Sequence, residues 1–141
     1  MDPTSGLRQR FARAIAAGAA AAHTWRALLI LLIVAVSYLA LTPKPPVSID
    51  FGWDKLNHVL AFTALAFSAS LGYPASRGMR LLLLCGLLAF GGLIEALQLF
   101  VPGRSSEWGD LLGDSIGVAS GAIIADYVLR AASTLSMRSL E

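Results

Sequence analysis

Four long apolar segments, separated by short polar stretches, organise this chain of 141 residues. They are Trp25–Leu41, Leu56–Tyr73, Met79–Val101 and Leu111–Arg130. Each is close to the ~20 residues that a helix needs to cross the hydrocarbon core of a bilayer. None shows the alternation of apolar and polar positions that is typical of a membrane-spanning strand. The pattern therefore predicts an all-α fold, an integral membrane four-helix bundle.

The composition agrees with a membrane protein and divides the chain into three parts. Hydrophobic residues make up 56% of the chain and charged residues 14%, and the mean hydropathy is +0.67. Soluble domains carry about 25% charged residues. We predict a basic, Ala-rich N-terminal segment at 1–24 (a short surface helix or a frayed end), the transmembrane domain at 25–132 and a disordered tail at 133–141. A cleaved signal peptide is the alternative for the first apolar segment, but that segment begins late and has a poor cleavage site.

Basic residues are unequally divided between the two sides of the predicted bundle. Eight lie before the first helix, at its start, between the second and third helices, or after the fourth, and three lie on the other side. Cytoplasmic loops carry the excess of Lys and Arg. The sequence therefore predicts a multi-pass protein of the inner (cytoplasmic) membrane with both termini in the cytoplasm. The eight are Arg8, Arg10, Arg13, Arg26, Arg77, Arg80, Arg130 and Arg138, and the three are Lys44, Lys55 and Arg104.

The sequence lacks the motifs of several classes of protein. The net charge of +2 comes without a basic patch, so no nucleic-acid partner is predicted. Cys85 is the only cysteine, which excludes a disulfide within the chain and any cysteine-based metal motif. The zincin pattern of two histidines on one helix is absent as well. No recognisable catalytic motif is present, so enzyme activity and cofactors stay open.

Seven polar residues lie near the same end of the predicted helices. Because successive helices alternate in direction, the second, third and fourth each bring a pair spaced by three or four residues to the extracytoplasmic side. Ionisable groups within a membrane segment are costly and usually functional. We therefore predict a polar pocket there, with Arg104 reaching down from the loop above. The seven are Asp54, His58, Glu95, Gln98, Arg104, Asp110 and Asp114.

Simpler interpretations exist for some of these residues. Asp54 and Asp110 could serve only as helix N-caps, and His58 could be a neutral histidine in the bundle core. Asp126 stands near the opposite end, four residues before Arg130, and that pair is interpreted as an interfacial ion pair outside the pocket.

Four glycines recur every fourth residue along the last apolar segment. Gly109, Gly113, Gly117 and Gly121 form a ridge that lets another helix approach closely. Candidate partners within the chain are Gly92 and Ala96 on the third helix, or Ala61 and Ala64 on the second. A homodimer through the ridge is an alternative.

The polar residues also carry a family resemblance. Asp54-Lys55-Leu56-Asn57-His58 resembles the Asp-Lys-x-x-His motif of the VanZ-like family. Glu95-Ala96-Leu97-Gln98, followed by Arg104-Ser105 and by Asp110 with Gly117, resembles the rest of that family's signature. The similarity covers about residues 25–130. Two residues depart from it, since Asp114 stands where the family usually has asparagine and Phe62 where it often has tyrosine.

This resemblance implies a small membrane protein of the cell envelope, in a family whose namesake is linked to teicoplanin resistance. Three functions are open: binding of a polar or anionic envelope component (for example a lipid-linked headgroup), hydrolysis or transfer on a lipid-linked substrate, and a purely structural assembly role. In the first, Arg104 would bind phosphate or carboxylate. In the second, Asp54, His58, Glu95 and Asp114 could bind a divalent cation, or His58 and Glu95 could act as base and acid.

Overall fold

The computed structural model describes residues 3–43, 54–73, 77–102, 104 and 108–138, and side chains between residues 20 and 133, Asp54 excepted. Within these ranges the chain is all-helical, as predicted. The four helices are α1 (Pro3–Leu41), α2 (Asp54–Gly72), α3 (Arg77–Gln98) and α4 (Trp108–Arg138).

Two helices are longer than the apolar segments that predicted them. Helix α1 begins at Pro3, so most of the predicted N-terminal segment is continuous with the first predicted span. Alanine has the highest helix propensity, and the Ala-rich stretch before Trp25 contains no proline that would break the helix. Helix α4 runs to Arg138 and takes in much of the segment predicted as a tail, which again lacks proline and glycine.

Three of the four helices are long and apolar enough to cross a membrane. The candidate spans are Ala20–Leu41, Arg77–Gln98 and Trp108–Ser133. Helix α2 is not among them, because its first five residues include Asp54, Lys55, Asn57 and His58, which lower its hydropathy. Length and composition therefore support a membrane protein and three of the four predicted spans.

Helix α2 is the helix that the other three surround. It contacts α1, α3 and α4, and its contact with α4 is the most extensive, whereas α1 and α4 do not touch within the described ranges. The core lies along α2, at Phe62, Leu65, Ala66 and Ala69, against Leu29, Leu87 and Val118 of the other helices. Large apolar side chains on the outer faces of α1, α3 and α4 are instead exposed, as a lipid-facing surface requires; examples are Leu31, Val34, Leu81, Leu82, Ile123 and Ile124.

The glycine ridge of α4 lies against α2. A methyl group at Gly117 would stand 2.6 Å from Val59 O and 2.8 Å from Phe62 Cβ, so the two backbones are in direct contact. Gly121 meets Thr63 and Ala66 in the same way. The partner surface is therefore on α2, as one alternative predicted, but not at Ala61 and Ala64.

The other predicted partner of the ridge, on α3, is wrong. A methyl group at Gly92 would meet nothing within 4 Å. A homodimer through the ridge would require α2 to leave this face.

At the end of the molecule opposite the predicted pocket, two arginines bind polar or aromatic groups of neighbouring helices. Arg26 Nε donates a hydrogen bond to Gly72 O at 2.8 Å, and its guanidinium lies 4.5 Å from the centre of the Tyr73 ring. The Asp126 carboxylate accepts a hydrogen bond from Arg80 of α3. The sequence predicts Arg130 on the same helix as a partner of Asp126, and the packing of α3 on α4 also brings Arg80 to Asp126.

Candidate functional site

Four ionisable side chains from three helices meet at one end of the molecule. They are His58 of α2, Glu95 of α3, and Asp110 and Asp114 of α4, and we call them the acid–histidine cluster. The three carboxylates are buried, with exposed fractions of 7% for Glu95, 2% for Asp110 and 0% for Asp114. The structure thus brings together four of the seven residues predicted for the pocket.

His58 is the centre of the cluster. Its Nδ1–H donates to Asp114 Oδ1 at 2.8 Å, and its Nε2 lies 3.8 Å from Glu95 Oε1. An ionised carboxylate can only accept, so Nδ1 carries the proton in this hydrogen bond, and Nε2 is the ring nitrogen nearer to Glu95. Asp114 therefore sets both the tautomer and the orientation of the ring.

Two glycines make room for this arrangement. A methyl group at Gly113 would lie 3.2 Å from both His58 Cβ and Lys55 O, so the glycine helps α4 to approach α2 closely where Asp114 meets the imidazole. On α3, a methyl group at Gly91 would collide with Asp114 Oδ2 and lie 3.1 Å from Phe62 Cζ. Gly91 therefore provides the space that the buried Asp114 carboxylate fills.

Acidic groups predominate in the cluster, since three carboxylates surround one imidazole. The N-terminal end of α4 carries Asp110 in its first turn, where the helix dipole favours a negative charge. Glu95 lies in the last turn of α3, where the dipole disfavours one. Lys55 passes over Gly109, with its Nζ 3.1 Å from the position of a Cβ there, and brings one positive charge to the rim.

The cluster has the donor atoms of a metal site. One ligand atom each from His58, Glu95 and Asp110 lie within 4.8 Å of one another. This set differs from the four ligands suggested by sequence spacing, because Asp110 takes the place of Asp114, which is engaged with His58 Nδ1. Asp54, also suggested, is the first residue of α2, and its side chain lies outside the described residues.

Arg104 and Gln98 are turned toward the end of α1 instead. Arg104 Nη2 donates to Leu39 O at 2.7 Å and its Nε donates to Thr42 O at 3.4 Å. Gln98 Nε2 donates to Ala40 O at 3.1 Å. These contacts, which we call the α1 cap, satisfy carbonyl groups that a helix leaves without partners at its C-terminal end. The prediction that Arg104 reaches down over the carboxylates does not match this geometry.

The sequence model of the VanZ/LLP1 family matches residues 13–130 of the chain. The chain belongs to the VanZ/LLP1 family. No curated protein and no solved structure matches it. The motif residues that suggested a VanZ-like protein divide between two places in the structure, with His58, Glu95 and Asp110 in the cluster and Gln98 and Arg104 in the α1 cap.

The two departures from the VanZ-like pattern lie next to each other. Phe62 is 2% exposed, its ring centre is 6.2 Å from that of Phe90, and its Cζ borders the space above Gly91 that also holds Asp114 Oδ2. Asp114 Oδ2 has no hydrogen-bond partner among the described residues. In this member of the VanZ/LLP1 family a carboxylate oxygen and an aromatic ring therefore border the same space above Gly91.

Gly91 is the residue that sequence reasoning missed. It lies four residues before Glu95, so the two share a face of α3. That spacing was a usable signal, because a glycine one turn from a buried glutamate marks a place where a neighbouring side chain can enter. The glycines of α4 stand out through their regular repeat, whereas the four glycines of α3 have no such spacing.

Proposed function

We propose that this protein is a multi-pass inner-membrane protein, a bundle of four spanning helices with both termini in the cytoplasm, whose acid–histidine cluster opens to the extracytoplasmic side. The positive-inside distribution of Lys and Arg supports that orientation. There the cluster binds a polar, hydroxyl-rich component of the cell envelope, such as the headgroup of a lipid-linked intermediate. The observation that carries the proposal is the convergence of four ionisable side chains from three helices on one buried position.

The free energies of the cluster favour a binding role over a purely structural one. Hydrogen bonds between membrane helices stabilise a bundle by about 0.6 kcal/mol each on average. A charged residue at the centre of a spanning helix costs roughly 2.5–3.5 kcal/mol to insert. Even with a smaller cost near the helix ends, three buried carboxylates around His58 are a poor way to hold helices together. A ligand that uses these groups would explain why they are there.

The geometry favours sugar hydroxyls over a bare phosphate as the group that the protein contacts directly. Carboxylates accept hydrogen bonds from hydroxyl groups and repel phosphate. Arg104 was the candidate phosphate ligand, but its Nε and Nη2 donate to carbonyls at the end of α1. The carboxylates of the cluster therefore offer hydrogen-bond acceptors to a ligand.

Native mass spectrometry of the full chain in lipid nanodiscs tests this proposal. The two probes are a polyprenyl-phosphoryl hexose and the same polyprenyl phosphate without the sugar. We expect retention of the sugar-bearing probe and at least a tenfold loss in Glu95→Gln, with no loss in Asp126→Asn, which changes an acid at the opposite end. Equal retention of both probes, or equal retention by all variants, would contradict the proposal and leave the structural role.

The second candidate is a membrane-embedded hydrolase or transferase acting on the same class of lipid-linked substrate. One observation favours it: His58 is oriented by Asp114 through a 2.8 Å hydrogen bond, which is how a carboxylate holds a histidine general base. Within the described residues no serine, threonine or cysteine is hydrogen-bonded to His58, so water would be the nucleophile. Release of the sugar from the first probe, abolished in His58→Gln, would establish this reaction.

A further inference from the structure

The acid–histidine cluster combines an oriented imidazole with two buried carboxylates, which is the donor set of a metal centre. We propose that His58 Nε2, Glu95 and Asp110 bind one divalent first-row transition-metal ion, and that Asp114 holds the His58 ring in position through its hydrogen bond to Nδ1. This inference rests on the proposed function, because it names the group through which the same site holds its ligand.

The first support is geometric. A zinc ion binds imidazole nitrogen and carboxylate oxygen at ~2.0–2.2 Å, so two of its ligand atoms can be at most about 4.3 Å apart. His58 Nε2 and Glu95 Oε1 are 3.8 Å apart, which is beyond a hydrogen bond and within this limit. All three donor atoms lie within 4.8 Å of one another, which is close to this limit.

The second support is the partner of His58. A histidine that binds a metal almost always donates its other ring N–H to a carboxylate or carbonyl, which fixes the ring and makes the ligating nitrogen more basic. His58 donates Nδ1–H to Asp114 Oδ1 at 2.8 Å and leaves Nε2 for the ion. Asp114 is fully buried, and its Oδ2 has no hydrogen-bond partner within the described residues.

The third support is the charge balance. Glu95, Asp110 and Asp114 bring three carboxylates to a buried site, whereas Lys55 brings one ammonium group to its rim, and burying like charges together is unfavourable unless cations offset them. One divalent cation bound to Glu95 and Asp110 neutralises those two carboxylates. It also polarises the imidazole, which strengthens the hydrogen bond that His58 donates to Asp114.

The ligand types indicate the class of metal. Imidazole suits zinc and iron, and carboxylates suit manganese and magnesium, so a set of one nitrogen and two carboxylates favours a divalent transition metal over calcium. Such an ion would bind hydroxyl oxygens of the sugar in a lipid-linked headgroup, beside the hydrogen bonds that the carboxylates accept from that sugar.

Metal analysis of the purified full chain tests the inference directly. The protein is stripped with a chelator, dialysed against ZnCl₂ or MnCl₂ and measured by mass spectrometry of the elements. We expect one ion per chain in the parent protein and in the control Asp126→Asn, and at least a tenfold weaker affinity in Glu95→Gln and Asp110→Asn. Asp114→Asn, which changes the partner of His58 Nδ1 and none of the three ligands, should weaken affinity by ~10–100-fold.

A spectrum of the parent protein covers the case in which a variant does not fold. Co²⁺ bound by one nitrogen and carboxylate oxygens gives ligand-field bands distinct from those of the hydrated ion. A parent spectrum like that of hydrated Co²⁺, or equal Zn²⁺ binding by all variants, would overturn the inference. Retention of the sugar-bearing lipid probe by metal-free protein would overturn it while leaving the proposed function intact. Metal binding without retention of the probe would support the metal site and contradict the proposed function.

Discussion

The two ends of the molecule use charge in opposite ways. At one end Arg80 pairs with Asp126, and Arg26 binds Gly72 O and lies over the Tyr73 ring, so every one of these charges meets a group that stabilises it. Both members of the Arg80–Asp126 pair are partly exposed. At the other end, three carboxylates are buried around His58.

The two ends therefore differ in burial and in charge balance. A partly exposed ion pair stays hydrated and contributes little in either direction. A buried excess of one charge is unfavourable for the fold, and proteins accept such a cost mainly at functional sites. The acid–histidine cluster has the second pattern.

The largest expected effect comes from a substitution beside the acid–histidine cluster. Gly91→Ala places a methyl group against Asp114 Oδ2 and Phe62 Cζ, so either the carboxylate or the ring must move. We expect a loss of about 1–3 kcal/mol in the free energy of unfolding, as for other overpacked cores. Unfolding in detergent micelles, followed by circular dichroism, measures it.

The neighbouring glycine is the matched control. Gly92→Ala adds the same methyl group where nothing lies within 4 Å. Because alanine is the better helix former, we expect no loss, and a gain of at most about 1 kcal/mol. If both variants lost stability equally, the close packing at Gly91 would not be the cause.

The next largest effect is expected at the α1 cap. It tests whether Arg104 acts on stability rather than on ligand binding by the cluster. Arg104→Gln removes hydrogen bonds to Leu39 O and Thr42 O, and we expect a loss of about 1–2 kcal/mol, since a charged donor and part-buried acceptors are involved. Retention of the polyprenyl-phosphoryl hexose should not change. Loss of that probe at unchanged stability would instead support the prediction from sequence that Arg104 binds the ligand.

The smallest effects on stability are expected from one acidic substitution at each end of the molecule. Asp126→Asn breaks a partly exposed ion pair and should cost about 0–1 kcal/mol of stability. Glu95→Gln removes one of three crowded carboxylates, so its stability should stay the same or rise while ligand retention falls. The same unfolding assay measures both variants. A stability loss in Glu95→Gln larger than that in Asp126→Asn would mean that the cluster holds the fold together.

The fold was largely predictable because its main determinants are local. The apolar segments place α2 and α3 within a few residues of their observed ends, and Pro102, which lacks an N–H, marks the end of α3. The lengths of α1 and α4 were underestimated, since residues at 3–24 and 131–138 are good helix formers without being apolar enough to predict a span.

The site was predictable only in part, because its details depend on helix rotation and on which helices are neighbours. Spacing placed His58, Glu95, Asp110 and Asp114 near one depth, which is a property of helix rise. Spacing does not reveal that Asp114 binds Nδ1, or that Gly91 opens the space for it. The direction of Arg104 depends on where α1 ends, and the partner of Asp126 depends on how α3 packs on α4.

The enclosed position of α2 has a consequence for how this protein is made. A polar first turn leaves α2 below the hydropathy of the other three helices, so lipid alone is a poor environment for it when it leaves the translocation channel. Its polar groups are shielded only once α3 and α4 have been synthesised. A nascent chain that stops after α2 should therefore keep that helix at the channel or lose it to the aqueous side, whereas the complete chain folds it into place.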